Sequence, residues 1–248
     1  MTLEQFFAEN REVAIAFSGG VDSAYLLYAA TRYAARVKAY YVSTAFQPEF
    51  ELADARRLAD ELGADMLVLH VDVLSNSAVT ANPSDRCYHC KNTLFRQILR
   101  AAENDGFPVL LDGTNASDDA GDRPGMRALR ELSVRSPLRE CGLTKAEIRR
   151  LSKEAGLFTW DKPAYACLAT RIRTGEEITL QKLKQTEKAE GFLFELGLRD
   201  FRVRMVDNTA KLELRETDLP LLLENREKIV TELRKDYDSV LLNLEVHK

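Results

Sequence analysis

The sequence has little of what several large protein classes require. Four cysteines among 248 residues are too few for a disulfide-stapled scaffold. No apolar run is long enough to span a bilayer, and the first residues lack the charged-then-apolar layout of a signal peptide. Neither sign of charge dominates, since the formal net charge is −4. We therefore expect a cytoplasmic protein with no membrane partner, and the composition does not favour a nucleic-acid partner.

What is present points to an α/β protein of two domains. The chain is long enough for two cores, and strand-like and helix-like segments alternate through its first two thirds. The predicted strands are Val13–Phe17, Val37–Val42, Asp65–Val71 and Val109–Asp112, and the predicted helices include Phe50–Leu62 and about Lys91 to Asn104. Strands this apolar are covered on both faces. We therefore predict a doubly wound parallel sheet over residues 1–170, with its ligands beyond the carboxyl ends of the strands.

The composition shifts after Gly175, where a second and smaller pattern begins. It predicts, in order, a helix, two strands, a helix and a strand, with Asp207-Asn208 at the turn of a hairpin. The predicted segments are Ile178–Leu196, Phe201–Val206, Ala210–Leu214, Leu219–Asp236 and Ser239–Val246. We expect residues 175–248 to form a small α/β domain for substrate binding or oligomerisation.

The most informative motif directly follows the first predicted strand. The run Ser18-Gly19-Gly20-Val21-Asp22-Ser23 leads into an apolar-periodic helix. Such a turn aims backbone N–H groups and the positive end of a helix at one point, which suits a phosphate. Asp22 can help to hold Mg²⁺, and the serines add hydroxyl donors. No Gly-Lys-Ser/Thr ending is present, so the motif is not the P-loop that carries a lysine to the γ-phosphate.

The run resembles the pyrophosphate loop (PP-loop) of the ATP pyrophosphatases, which have an adenine nucleotide alpha-hydrolase-like fold. Those enzymes split ATP between its α and β phosphates and use AMP to activate an oxygen. The resemblance implies ATP and Mg²⁺ as cofactors, and Asp22 and Ser23 as catalytic residues. The ATP-binding residues that it implies are Ala16, Ser18, Gly19, Gly20, Val21, Asp22, Ser23, Thr44 and Gly113.

Two later segments resemble further landmarks of those enzymes. The loop 112–119 is rich in turn formers and carboxylates, and its counterpart faces the nucleotide. The segment 136–139 resembles the next landmark. Thr144 and Glu147 then form a capping box that opens a helix to Ala155, and Gly156 ends that helix.

Three of the cysteines lie in motifs that suit metal or sulfur chemistry. Cys87 and Cys90 form a C-x-x-C motif on the loop before the Lys91 helix, and Cys167 lies in a proline-led segment. The C-x-x-C motif alone is ambiguous between structural zinc, a redox pair and an iron–sulfur site. Three thiolates would leave one iron of a [4Fe–4S] cluster open for an extra sulfide. Cys141 is interpreted as a structural thiol.

The flanks of these cysteines carry a closer resemblance. The PP-loop, Arg86–Lys91, Lys162–Ala169 and Phe201–Arg204 together are similar to the LarE sulfur transferases, over nearly the whole chain. That family adenylylates a pyridinium-3,5-dicarboxylate mononucleotide with ATP and converts its carboxylates to thiocarboxylates, for the nickel-pincer cofactor of lactate racemase. Some members sacrifice the sulfur of the cysteine that matches Cys167. The added Cys87 and Cys90 favour the cluster-bearing variant.

The substrate of that family is anionic and needs fixed cations. Arg202 and Arg204 are two apart on a predicted strand, so both side chains lie on one face and could clamp a phosphate; a solvated strand face is the alternative. Arg171 and Lys91 are further candidates beside the cysteine motifs. Glu190 is interpreted first as an exposed carboxylate, with a metal or acid–base role as the alternative.

Two rival functions fit parts of the sequence. A tRNA-thiolating enzyme would use the same loop and the same three cysteines, but it would normally add a basic RNA-binding surface. A non-catalytic nucleotide-binding protein with structural zinc would use the same motifs. For the favoured hypothesis, a LarE-type sulfur transferase, we expect a small-molecule nucleotide substrate, sulfide or another sulfur donor, and a homo-oligomer.

Overall fold

The computed structural model describes residues 1–118 and 124–245, and the chain forms two compact units. Unit 1 comprises Met1–Val73 and Asp85–Ala164, and unit 2 comprises Leu74–Ser84 and the described residues from Tyr165 onward. The main part of unit 2 thus begins ten residues before Gly175. The unit also includes a segment from the first half of the chain, Leu74–Ser84. That segment is held within unit 2 by Asn82, whose Nδ2 donates to the Arg173 carbonyl at 2.8 Å.

Unit 1 is built on a parallel sheet, as predicted. The strands are β1 (Glu12–Phe17), β2 (Arg36–Ser43), β3 (Met66–His70) and β4 (Val109–Leu111), in the order β3-β2-β1-β4. All three strand pairs are parallel. The carboxyl ends of these strands therefore meet at one edge of the sheet.

Helices cover both faces of this sheet, because β1 is apolar on both sides. Ile15 belongs to one buried cluster together with Leu26 and Leu58, whereas its neighbour Ala14 belongs to another with Tyr40 and Ile98. Successive side chains of a strand point to opposite faces, so the two clusters lie on opposite sides. The doubly wound α/β prediction is confirmed.

The helices of the described chain follow the predicted pattern in outline. They are α1 (Leu3–Glu9), α2 (Val21–Tyr33), α3 (Glu49–Leu62), α4 (Ser77–Thr80), α5 (Arg86–Asn104), α6 (Pro124–Glu131), α7 (Pro137–Glu140), α8 (Lys145–Glu154), α9 (Leu180–Glu195), α10 (Leu219–Glu224) and α11 (Arg226–Leu233). Of these helices, none is both long and apolar enough to cross a membrane.

Unit 2 contains a second, three-stranded sheet. Its strands are β5 (Phe201–Val206), β6 (Thr209–Leu214) and β7 (Ser239–Leu242), in the order β5-β6-β7. The hairpin turns at Asp207 and Asn208, whose φ angles of 46° and 58° match the left-handed residues of a type I′ turn. The strand predicted over Ser239–Val246 is longer than β7, which ends at Leu242. The last residue of the prediction, Val246, lies outside the described residues.

The helix predicted over Leu219–Asp236 is two helices instead. Asn225 lies between α10 and α11, and both its backbone N–H and its side-chain Nδ2 donate to the Leu221 carbonyl, at 3.2 and 3.0 Å. The side chain thus competes for a carbonyl of the preceding helical turn. The apolar spacing continues across this break, which is why the sequence predicted one helix.

Candidate active site

The turn between β1 and α2 together with the first turn of α2, residues 18–23, is the first candidate site, the phosphate turn. Gly19 is in the left-handed region with a φ of 72°, and a Cβ there would come within 3.2 Å of Ala55 Cβ. The hydroxyls of Ser18 and Ser23 lie 3.0 Å apart, and Ser23 Oγ donates to the Gly20 carbonyl at 3.1 Å. Because the first N–H groups of a helix have no acceptor within it, this end of α2 suits an anionic phosphate.

The loop after β4 packs directly against the first turn of α2. A Cβ on Gly113 would lie only 2.9 Å from the Ser23 backbone nitrogen, so this close approach requires glycine. The buried carboxylate of Asp112 accepts hydrogen bonds from Ser136 Oγ at 2.6 Å and from the Thr114 hydroxyl. These contacts bring two predicted landmarks to the phosphate turn. Asp119, at the end of the predicted loop, lies outside the described residues.

Asp22 lies in the first turn of α2, where Lys145 pairs with it. Lys145 Nζ is 2.6 Å from Asp22 Oδ2, whereas Asp22 Oδ1 is buried and has no hydrogen-bond partner among the described residues. Burial raises the pKa of the Asp22 carboxyl, and the hydrogen bond and charge of Lys145 oppose this shift. The carboxylate therefore has one oxygen neutralised by a cation and one oxygen that still lacks a donor.

That second oxygen fits a magnesium ion. Mg²⁺ is commonly bound through one or two carboxylates and by the phosphates of a substrate, with water completing its shell. Within the described ranges no group of three or more His, Cys, Asp or Glu side chains could hold a metal without such help. Asp22 is thus suited to a magnesium ion that arrives with a nucleotide.

Two further residues of the predicted ATP site, Ala16 and Thr44, lie at the carboxyl ends of two adjacent strands, β1 and β2. Ala16 lies within β1, where it pairs with Tyr40 of β2. Thr44 directly follows β2, and its hydroxyl donates to Gln47 Oε1 at 2.6 Å and accepts from the Phe46 N–H at 3.0 Å. The Thr44 hydroxyl is thus engaged by its own loop.

Cys87 and Cys90 lie on α5 and not on a preceding loop, so that prediction was wrong. The helix begins at Arg86, five residues before Lys91. A spacing of three residues places both thiols on one helical face, with Cys87 exposed and Cys90 half-buried. This arrangement fits two ligands of one metal centre.

Cys167 lies in unit 2, at the start of the short 3-10 helix Leu168–Arg171. Among the residues described, no three thiols gather into a metal-binding group. The thiols thus fit a cluster only in part. Cys141 ends α7 and packs against the buried cluster of unit 1, and burial raises the pKa of its thiol.

Glu190 is buried, with 1% of its surface exposed, so its interpretation as an exposed carboxylate was wrong. Its carboxylate pairs with Arg171, which is equally buried: Arg171 Nε donates to Glu190 Oε1 at 2.7 Å and Nη2 to Oε2 at 3.1 Å. Removing either partner of such a buried ion pair would leave an uncompensated buried charge. Arg171 is consequently engaged by a carboxylate and is not an open cation.

Arg202 and Arg204 lie on β5, but they do not form a solvated face. The Arg202 side chain is only 10% exposed, and burial together with the neighbouring Arg171 lowers its pKa. Arg204 Nε donates to Glu213 Oε2 at 2.8 Å on the adjacent strand. Arg202 Nη1 donates to the Phe201 carbonyl at 2.7 Å, so both guanidinium groups are engaged by neighbours within unit 2.

Lys145 is a residue of the candidate site that the sequence analysis did not predict. The capping box is present as predicted, since Glu147 N–H donates to Thr144 Oγ1 and Thr144 N–H to Glu147 Oε2. This cap fixes the start of α8, and Lys145 is its first residue. A lysine directly after the capping threonine was the available signal, but its partner is 123 positions away.

Comparisons with known proteins agree with this arrangement. The model of the asparagine synthase family matches residues 4–119, which include the phosphate turn. An uncharacterized protein of Synechocystis is 40% identical over 86% of this chain and 80% of its own length. A tRNA-specific 2-thiouridylase of Thermotoga petrophila is 26% identical, over 59% of this chain and 52% of its own length.

One further relative extends over nearly the whole chain. The pyridinium-3,5-bisthiocarboxylic acid mononucleotide synthase of Lactiplantibacillus plantarum is 31% identical over 235 residues, which are 94% of this chain and 85% of that protein. A match of this length extends over both units. The chain therefore belongs to the LarE family, the family of pyridinium-3,5-bisthiocarboxylic acid mononucleotide synthases.

Proposed function

We propose that this protein is an ATP-dependent sulfur transferase that forms AMP and pyrophosphate. Its substrate is a pyridinium-3,5-dicarboxylate mononucleotide, whose carboxylates become thiocarboxylates for a nickel-pincer cofactor. The observation that carries the proposal is Asp22, a carboxylate with one oxygen paired to Lys145 and the other buried without a donor, beside a glycine turn at a helix N-terminus. Membership of the LarE family supports the same reaction.

The first half-reaction activates a carboxylate. A carboxylate oxygen of the substrate attacks the α-phosphorus of ATP, a new P–O bond forms, and the bond to the departing pyrophosphate breaks. Backbone N–H groups at the start of α2 are placed to bind phosphate oxygens. A bound Mg²⁺ supplies charge neutralisation on the phosphates, and Asp22 is the residue that would hold it.

The second half-reaction replaces oxygen by sulfur. A sulfur nucleophile attacks the activated carbonyl carbon, the C–O bond to AMP breaks, and the carboxylate oxygen departs with the AMP. A thiolate is strongly nucleophilic and suits this displacement. Cys167 is the residue that we assign to this step, because its flanking segment carries the family resemblance.

The substrate phosphate is assigned to β5. Arg202 and Arg204 are two positions apart on this strand and therefore lie on the same face of it. Guanidinium groups that are already fixed by neighbours lose little freedom when they bind an anion. We assign Arg171 a supporting part only, because its side chain is fully buried against Glu190, whereas the side chains of Arg202 and Arg204 keep 10% and 36% of their surface exposed.

The sulfur source is the finer part of the proposal. We propose that Cys87, Cys90 and Cys167 bind a [4Fe–4S] cluster, so that Cys167 is a ligand and sulfide or another donor restores the sulfur. The sacrificial alternative consumes the sulfur of Cys167 and leaves dehydroalanine. We also propose that the protein works as a homo-oligomer.

A second candidate function is tRNA thiolation, which the similarity to the tRNA-specific 2-thiouridylase favours. The two functions share the ATP chemistry and differ in the acceptor. Incubation with ATP, Mg²⁺ and a sulfur source, with either the dicarboxylate mononucleotide or unmodified tRNA, separates them. We expect pyrophosphate and thiocarboxylate with the mononucleotide; pyrophosphate and thiolated nucleoside with tRNA alone would favour the second function.

A further inference from the structure

We propose that Glu190 is a positioning residue, which fixes the backbone around Cys167 against the strand that carries Arg202 and Arg204. The inference rests on the proposed function for its chemical meaning, but its geometric content is independent of it. Glu190 is on α9, Cys167 is on the segment before that helix, and the two arginines are on β5. All belong to unit 2.

The Glu190 carboxylate has no acceptor capacity left for a metal or for a proton-transfer role. Oε1 accepts from Arg171 Nε at 2.7 Å and from the Val203 backbone N–H at 2.9 Å. Oε2 accepts from Arg171 Nη2 at 3.1 Å and from the Tyr165 hydroxyl. Four donors saturate the two oxygens of a carboxylate. The Glu190 carboxylate therefore serves to hold its four donors in place.

Two of those donors lie on either side of Cys167 in the sequence. Tyr165 precedes it by two residues and Arg171 follows it by four. The Arg171 guanidinium lies 4.8 Å from the centroid of the Tyr165 ring, so the two side chains also stack across the segment. The Cys167 segment is thus closed into a loop whose ends meet on one carboxylate.

The same arginine reaches the backbone beside the cysteine. Arg171 Nη1 donates to the Ala166 carbonyl at 3.1 Å and to Thr170 Oγ1 at 2.8 Å. Thr170 in turn donates to the Cys167 carbonyl, from its N–H at 2.9 Å and from its hydroxyl at 2.8 Å. The peptide groups on both sides of Cys167 are therefore fixed through the residue that Glu190 holds.

Glu190 also contacts β5, the strand that carries Arg202 and Arg204. Val203, which donates its N–H to Glu190, lies between the two arginines assigned to the substrate phosphate. Arg204 Nη1 also donates to the Thr170 carbonyl at 2.5 Å. One carboxylate thus links the backbone of the sulfur-bearing residue to the strand of the phosphate-binding residues. A link of this kind sets the distance between the two groups, which is what a positioned reaction requires.

The matched variants for a test are Glu190→Gln and Glu195→Gln. Both lie on α9 and lose one charge at constant size, and Glu195 is exposed. In a single turnover with ATP and the mononucleotide, we expect Glu190→Gln to release pyrophosphate at close to the wild-type rate. Thiocarboxylate formed per pyrophosphate should fall by about 100-fold, the loss typical of a misplacement near 1 Å. Glu195→Gln should match the wild type in both steps.

A second measurement does not depend on the reaction. Hydrogen exchange of the backbone amides of residues 165–171 and of Val203 should be about tenfold faster in Glu190→Gln, because local opening no longer breaks charged hydrogen bonds. Tyr165→Phe removes one hydroxyl and keeps the ion pair, so it should fold and shift both readouts in the same direction by a smaller factor.

The outcomes separate the inference from the proposed function. Unchanged exchange in Glu190→Gln would overturn the inference, whatever the enzyme does. Equal loss of pyrophosphate and thiocarboxylate would also overturn it, because a general loss of fold does not distinguish the two steps. Faster exchange together with a wild-type enzyme that releases no pyrophosphate would retain the anchoring role and reject the proposed function.

Discussion

Lys145 Nζ lies 2.6 Å from Asp22 Oδ2, so the first residue of α8 supplies a cation to the acidic residue of the phosphate turn. The Lys145 backbone N–H donates to Ser117 Oγ at 3.0 Å, which ties the same residue to the loop after β4. Three segments thus meet at Lys145. In the proposed reaction, this ammonium group also interacts with phosphate oxygens of ATP.

We predict that Lys145→Met slows substrate-dependent pyrophosphate release by roughly 10- to 100-fold, the equivalent of one charged hydrogen bond. The reason is that both Asp22 and the phosphates lose a fixed cation. Lys153→Met is the matched control, because Lys153 is exposed and lies on the same helix. Equal rates for Lys145→Met and the wild type would show that the pair serves neither ATP nor metal.

We predict that Thr144→Ala lowers the free energy of unfolding at neutral pH by about 1 kcal/mol, the usual effect of losing an N-cap. Hydrogen bonds from Thr144 lower the pKa of Glu147. A lowered carboxyl pKa stabilises the fold above the ordinary value, and that contribution disappears as the pH falls through the lowered value. The difference between wild type and variant should therefore shrink in acid, as measured by denaturant titrations at several pH values. A difference that grows in acid would contradict this assignment.

The fold was predictable where the sequence pattern is strong and local. The apolar β1 followed by two glycines, and the alternating β5 and β6 around Asp207-Asn208, predicted the elements that the structure contains. The start of α5 was missed because its first turn, with Cys87, His89 and Cys90, has no apolar periodicity. It was therefore interpreted as a metal-binding loop.

The site was less predictable because its pairs are distant in sequence. Glu190 and Arg171 are 19 positions apart, and Asp22 and Lys145 are 123 apart. A mid-helix glutamate is most often exposed, and only its tertiary partners make burial favourable. The phosphate turn could be predicted without such distant partners, because its residues are contiguous in the sequence and the local backbone turn brings them together.

We predict that Arg202→Ala or Arg204→Ala weakens binding of the mononucleotide by roughly 1.5–3 kcal/mol, the range for a hydrogen bond to a charged group. ATP affinity should hardly change, because these arginines belong to unit 2 and the phosphate turn belongs to unit 1. Calorimetric titration with each ligand measures both. Arg199→Ala, an exposed arginine just before β5, is the control, and an equal loss of ATP affinity in the Arg202 or Arg204 variant would reject the assignment.

We predict that anaerobic reconstitution yields about four irons per chain, as for one [4Fe–4S] cluster. Cys87→Ala, Cys90→Ala and Cys167→Ala should each lose this iron, because each thiolate is a proposed ligand. Cys141→Ala should retain the iron, since the Cys141 thiol packs against buried hydrophobic side chains of unit 1. Loss of one sulfur per chain during turnover, with dehydroalanine at position 167 in the mass spectrum, would establish the sacrificial route instead.

The central claim is that a substrate carboxylate is adenylylated at the Asp22 turn. The most direct measurement uses mononucleotide whose carboxylates carry the heavy oxygen isotope. The account predicts that wild-type protein transfers one labelled oxygen to each AMP, that pyrophosphate stays unlabelled, and that Asp22→Ala forms neither product while it remains folded. Unlabelled AMP, or ADP as the product, would contradict the account.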